Sequence, residues 1–237
     1  MKGAEFDRHA ATYDGGLDNP VKRMMGNSAD QFIAVKARWL LRREPGLTEG
    51  TLSLLDYGCG AGDLMRVLAD LGARARFTGC DVSGGMLTEA ARRWPSRHGA
   101  LPALAVQQGP LTPFADGRFD IVTVSAVLHH VPVADRPAFY GELTRVLKPG
   151  GRLYVFEHNP RNPLVRYVVA RTPIDENAIL LDAREVRRGL RQSAPYALDT
   201  EYLMFMPPGI GALRGIDRAL AWLPLGAQYV VAALKGG

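Results

Sequence analysis

The stretch Leu54-Leu55-Asp56-Tyr57-Gly58-Cys59-Gly60-Ala61-Gly62-Asp63 carries the reading of the fold. The run Leu52–Tyr57 is short and apolar, as a strand buried on both faces must be. It passes into a turn with glycine at 58, 60 and 62. Past the turn, Leu64, Val67, Leu68 and Leu71 recur at helical spacing, and Gly72 closes the helix. This strand, glycine turn and helix begin an alternation that extends along the chain. Upstream, residues 28–44 show helical periodicity through Phe32, Val35, Trp39 and Leu40, ended by Pro45-Gly46. Downstream, strands are expected at Arg76–Asp81, Ala103–Gln107, Phe119–Ser125 and Arg152–Glu157. Helices are expected at Met86–Trp94 and Pro137–Leu147, the second ended by a turn at Lys148–Gly151. Such alternation predicts an α/β fold with a doubly wound, mostly parallel sheet. The stretches 198–206 and 227–234 read as two more strands around a helix near 210–222, an antiparallel hairpin at the sheet edge. That makes a seven-stranded sheet with an antiparallel last strand. Asp182 and Glu185 have the spacing of a capping box.

Ligands of such sheets bind outside the carboxyl ends of the strands. Alternate glycines let the backbone bend sharply there and approach a ligand closely. The dinucleotide fingerprint places another glycine where Asp63 stands. A carboxylate at a helix N-terminus repels a pyrophosphate and suits a ligand bearing an ammonium or sulfonium. Asp81 ends the second strand, where an acidic side chain accepts hydrogen bonds from both ribose hydroxyls. The bland alternative is a helix-capping role beside Ser83.

Composition sets bounds. The chain has 237 residues, 47% hydrophobic and 22% charged, with a net charge of +5. That suits one α/β domain with a modest appendage. The basic residues are scattered, and the densest group, Arg184, Arg187, Arg188 and Arg191, reads as one solvated helix face. Nucleic acid is therefore not an expected partner. Cys59 and Cys80 form no C-x-x-C pair or disulfide framework. With no secretory signal and no membrane-length apolar run, the expected localisation is cytoplasmic, as a monomer or homodimer without a membrane partner.

Four segments, "LLDYGCGAGD", "GCDVSGGML", "FDIVTVSAVLHHVP" and "LTRVLKPGGRLYVFE", resemble the successive motifs of class I S-adenosylmethionine (SAM)-dependent methyltransferases. They most resemble the small-molecule branch related to ubiquinone and menaquinone biosynthesis enzymes, over roughly residues 50–157. The resemblance implies a Rossmann-like fold and SAM as cofactor. Carried over by position, Gly58, Cys59, Gly60 and Gly62 would approach the methionine part, and Asp56 would order that turn and reach the amino group. Asp81 would hold the ribose, with Val82 and Met86 against adenine. Gln108, where many relatives carry Asp, and Gly109 would serve the adenine amino group. Ser125 and Ala126 would lie beneath the methionine moiety. Tyr13, in "FDRHAATYDG", would stand near the methyl group in an arm that closes the site. Residues 1–45 are thus expected to form a covering arm and helix. Residues 46–237 would form the SAM-binding domain, with an acceptor-side insertion at about 158–200.

Methyl transfer needs alignment, and a base only where the nucleophile must lose a proton. His129 and His130 follow the fourth strand, and Glu157 and His158 end the fifth. These four are the candidate catalytic residues, against a structural reading in which they fix the loops. With no carboxylate at the end of the fourth strand, no magnesium site and no metal requirement are expected. The expected acceptor is a small organic molecule, a sugar or secondary metabolite, methylated at oxygen. The alternatives are methylation at nitrogen or carbon, an RNA or protein acceptor, a non-catalytic SAM-binding protein, and a nicotinamide-dependent oxidoreductase.

Overall fold

A computed structural model describes residue 7, residues 29–206 and residues 214–236. Seven strands form one sheet: β1 (Ser53–Tyr57), β2 (Arg76–Asp81), β3 (Ala103–Val106), β4 (Phe119–Ser125), β5 (Leu147–His158), β6 (Tyr196–Leu203) and β7 (Gln228–Lys235). Their order is β3-β2-β1-β4-β5-β7-β6. Every neighbour pair from β3 to β5 is parallel, and β7 runs antiparallel to both β5 and β6. The helices are α1 (Ala29–Arg43), α2 (Asp63–Asp70), α3 (Gly84–Arg93), α4 (Arg136–Val146), α5 (Pro163–Val169), α6 (Ala183–Ser193) and α7 (Arg214–Ala219).

The two final strands pair antiparallel at the edge of the sheet, as expected, but not in chain order. The last strand slots between β5 and β6, so β6 takes the edge. Lys148–Gly151 also differs from the expected turn, because β5 begins at Leu147, directly after α4. Its pairing with β4 slips between Phe119 and Ile121, and the irregularity absorbs the extra residues.

Strand residues alternate between two apolar layers. Leu55, Val122, Val155 and Val231 face α4 and α6, whereas Leu54, Ile121, Tyr154 and Val230 face α1 and α2. On the second face the Trp39 ring meets Tyr154 and Phe156 edge-on, at centroid distances of 5.4 and 5.7 Å. Leu181, Ala183, Val186 and Leu190 of the segment after β5 belong to the first layer. That segment is therefore part of the core as well as a cover. Asp182 caps α6 with the reciprocal Glu185 bond expected of a capping box. Among the described residues no helix is long and apolar enough to cross a membrane.

Candidate active site

The turn after β1 is sewn to β2: the Gly58 and Cys59 amides both donate to the Cys80 carbonyl, at 2.8 and 2.9 Å. Gly58, Gly60 and Gly62 all have positive φ, from 51° to 75°. Space separates their roles. A Cβ on Gly58 would lie 2.6 Å from the Val127 side chain, whereas one on Gly60 would meet nothing within 4 Å. The turn is thus packed at Gly58 and opens onto free space at Gly60, which is the shape a close-approaching ligand needs.

Asp81 stands at the lip of that space, 9% exposed. One carboxylate oxygen accepts from the Gly60 amide and the other from the Ser83 amide, both at 2.9 Å. The Val82 amide acts on the same carboxylate, which still has lone-pair capacity for a ligand hydroxyl. Burial pushes the Asp81 carboxyl up, opposed by these amides. The capping role weighed for Asp81 falls to Ser83, which accepts from the Met86 amide at 3.0 Å at the start of α3. Asp7 reaches this corner through Ser83 Oγ and the Gly85 amide. Met86 is buried and Val82 half-buried beside it.

Asp56 is buried and accepts from Thr123 Oγ1 at 2.9 Å. Burial raises its carboxyl to about 7, opposed by Thr123 and Lys36. Lys36, from α1, is also buried and donates to Ser125 Oγ at 2.8 Å. Burial lowers its ammonium to about 8, against the attraction of Glu157 and Asp56. A carboxylate and an ammonium therefore share one dry corner at the ends of β1 and β4. Asp63 does not turn its charge to that corner: it pairs with Arg93 at 3.1 Å and Arg66 at 3.4 Å. A charge-paired carboxylate at the start of α2 explains the departure from a third glycine without a cationic ligand.

After β3, Gln108 is exposed and makes an isolated backbone bridge with Leu111, while Gly109 adopts φ 58°. The neighbouring Gln107 is the buried one. Its amide nitrogen donates to the Gly109 carbonyl at 2.8 Å, and its Oε1 is buried without a partner. An unpaired buried acceptor is unusual and marks a place where a donor belongs.

Beyond β4, Ala126 takes φ 58°, a left-handed conformation rare for a residue with a Cβ. Glu157 then fastens β5 to the loop after β4. Its Oε1 accepts from the Val127 and Leu128 amides at 2.9 and 2.7 Å, and its Oε2 meets His129 Nδ1 at 2.6 Å. The other His129 nitrogen lies 3.4 Å from Asp175 Oδ1, and His130 Nε2 lies 3.5 Å from the same oxygen. Despite its burial, His129 is raised to about 9 by Glu157 and Asp175, and Glu157 is held near 2 by His129. The His158 ring lies 5.2 Å from that of His129, and burial lowers it to about 4. All four candidate catalytic side chains thus converge. Asn159 turns away and secures the Pro224 and Gly226 carbonyls.

Tyr13 lies outside the described residues. Three residues of the site were missed in the sequence: Lys36, Gln107 and Asp175. Lys36 interrupts the apolar stripe of its helix, a usable signal. Gln107 and Gln108 are indistinguishable without the strand register, and nothing local marks Asp175.

Comparisons with known proteins follow the same lines. Residues 55–155 match the family model described as a methyltransferase domain. The chain is 32% identical over 188 residues to the 2-phytyl-1,4-naphtoquinone methyltransferase of Synechococcus elongatus, covering 78% of this chain and 70% of that one. It is 33% identical over 156 residues to the ubiquinone/menaquinone biosynthesis C-methyltransferase UbiE of Desulfotalea psychrophila, covering 65% of this chain and 57% of the relative. A solved SAM-dependent methyltransferase from Archaeoglobus fulgidus shares the fold at a TM-score of 0.63 and 15% identity, covering 91% of this chain and 98% of the other.

Proposed function

The chain belongs to the class I SAM-dependent methyltransferases, enzymes acting here on small molecules, and from that premise we propose methylation at a ring carbon of a quinone-type acceptor. The observation that carries the proposal is the 188-residue likeness to a naphthoquinone methyltransferase, at 70% coverage of that relative.

The residues present fit SAM. The open space over Gly60 admits a ligand against the backbone, and the unpaired Gln107 oxygen suits an adenine amino group better than the exposed Gln108. Asp81 has lone pairs free for the ribose. Asp56 and Lys36 match the opposite charges of an amino-acid end, its ammonium and its carboxylate. When bound, SAM supplies an electrophilic methyl group. The chain's task is then to hold the acceptor in line and keep water out.

Hydrogen bonding at the end of β5 bears on the choice between oxygen and carbon. Glu157 has both oxygens engaged, three bonds in all, and His129 is clasped between Glu157 and Asp175. We read both as positioning residues rather than as a base waiting for a hydroxyl. His158 remains the candidate to accept a proton or a hydrogen bond from a ring hydroxyl. An electron-rich hydroxylated ring is nucleophilic at carbon with such modest help, whereas a sugar hydroxyl is not. Oxygen methylation, expected from three histidines and a carboxylate, loses its main support. The test incubates the enzyme with isotopically labelled SAM and reduced naphthoquinols, with and without a prenyl chain, beside catechol and sugar acceptors. A labelled ring-methyl signal in the product NMR spectrum is expected. A methoxy product, or turnover of sugars alone, would overturn the reading.

A further inference from the structure

We propose that His129, His130 and Asp175 form a binding site for a divalent transition-metal ion. The three contribute His129 Nε2, His130 Nε2 and an Asp175 carboxylate oxygen, and a ligand atom from each lies within 4.8 Å of the others. Asp175 Oδ1 is 3.4 Å from one nitrogen and 3.5 Å from the other. Zinc binds imidazole nitrogen at about 2.0–2.1 Å and carboxylate oxygen at about 2.0–2.2 Å, so adjacent ligands of a tetrahedral centre stand about 3.3–3.5 Å apart. Both distances to Asp175 already match a tetrahedral edge. Two imidazoles and one carboxylate suit zinc, iron or cobalt rather than magnesium, which prefers oxygen ligands.

The surroundings resemble those of a metal centre as well. Metal-bound histidines commonly donate their second ring nitrogen to a carboxylate, which orients the ring. His129 Nδ1 meets buried Glu157 at 2.6 Å, which leaves Nε2 as the atom turned to Asp175. Glu157 is itself fixed by the Val127 and Leu128 amides. Asp175 ends the 3-10 turn Pro173–Asp175, and the Ile179 amide donates to the His129 carbonyl at 2.7 Å, tying that segment to the histidine loop. Asp175 is thereby brought to the histidines by backbone bonds as well as by side chains. Three protein ligands leave one position for water or an oxygen of a small molecule, the arrangement of an open site. The expectation of no metal rested on the ends of β4 and β5, and the third ligand comes from neither.

The competing explanation is a histidine clasped by two carboxylates that binds no ion. Untagged full-length protein, stripped with chelator and dialysed, is titrated with cobalt(II) and followed by visible absorption. The expected result is saturation at one ion per chain with the absorption of a tetrahedral centre, reversed by competing zinc. His130→Ala and Asp175→Asn should each weaken binding at least about tenfold, and Glu157→Gln by about 10–100-fold. Circular dichroism and thermal melting select the variants that fold, and His130 and Asp175 are only half-buried. Failure to saturate at one ion per chain, or equal affinity in the wild type and the folded variants, would overturn the site. Neither result depends on the acceptor.

Discussion

Lys36 sits within a stripe, Phe32, Val35, Lys36, Trp39 and Leu40, that is otherwise apolar and turned to the core. A cation at such a position is expensive unless something uses it. Here it donates to Ser125 and faces two carboxylates, Asp56 and Glu157. If it also holds the cofactor carboxylate, Lys36→Met should weaken SAM binding by about 10–100-fold, the loss of a charged hydrogen bond worth about 1.5–3 kcal/mol. Calorimetry reads this directly. The melting temperature should fall as well, because the substitution leaves the buried Asp56 carboxylate without its cation, so affinity is read at a temperature where the variant is folded. Asp56 offers a second test. The groups facing it are Lys36 from α1, Thr123 from β4, Asp81 from β2 and Asp63 from α2. With its carboxyl raised to about 7, Asp56 ionises as pH passes that value, so SAM affinity should rise from pH 6 to about 7.5 and fall again above about 8, where Lys36 loses its proton. The stability it contributes runs the other way: it is fully present below the ordinary carboxylate range and lost as pH rises through about 7. Affinity that is flat with pH, or unchanged by Asp56→Asn, would contradict this. Lys36 was legible as a break in a pattern, whereas Gln107 needed the register of β3.

At the scale of elements, local chemistry was readable and long-range pairing was not. The capping box of α6 depends on Asp182 and Glu185 alone, and it forms as its spacing implies. The position of β7 between β5 and β6 depends on which strand wins a place beside β5. No local signal reports that, and the apolar run Tyr229–Leu234 suits a flanked strand as well as an edge strand. The approach of α6 to α4 was equally hidden. Gly189 looks like a weak point in a helix, where alanine is normally better by about 1 kcal/mol. In the fold a Cβ there would lie 2.1 Å from the Tyr140 ring. Gly189→Ala should therefore destabilise by about 1–3 kcal/mol, because overpacking outweighs propensity. A melting temperature lowered by several degrees is expected, and a raised one would mean that Tyr140 yields easily.

The whole molecule joins its two faces through the same strands. Leu54 and Leu55, Ile121 and Val122, Tyr154 and Val155, and Val230 and Val231 each send neighbouring side chains into opposite layers. The segment after β5 is not a detachable lid. Tyr229 donates to the Leu181 carbonyl at 2.9 Å, Arg136 to that of Ile179 at 2.9 Å, and Leu181, Val186 and Leu190 are core. Loosening either layer or that segment strips apolar contacts from strands that the other layer needs, so the described chain should unfold as one unit. A ligand bound at the ends of β1 to β3 must then stabilise all of it. At SAM concentrations 100 times the dissociation constant the gain is about 2.7 kcal/mol. For a chain of this length that corresponds to a shift of about 5–10 °C. Scanning calorimetry should show one transition displaced as a whole by SAM and unmoved by NAD. Asp81→Asn should lose most of the shift at the same SAM concentration, because it weakens the proposed ribose contact together with the Gly60 amide bond that shapes the turn. Two transitions, with only the earlier or only the later one responding, would show that the β5–β7 half and its covering segment fold independently of the glycine turn.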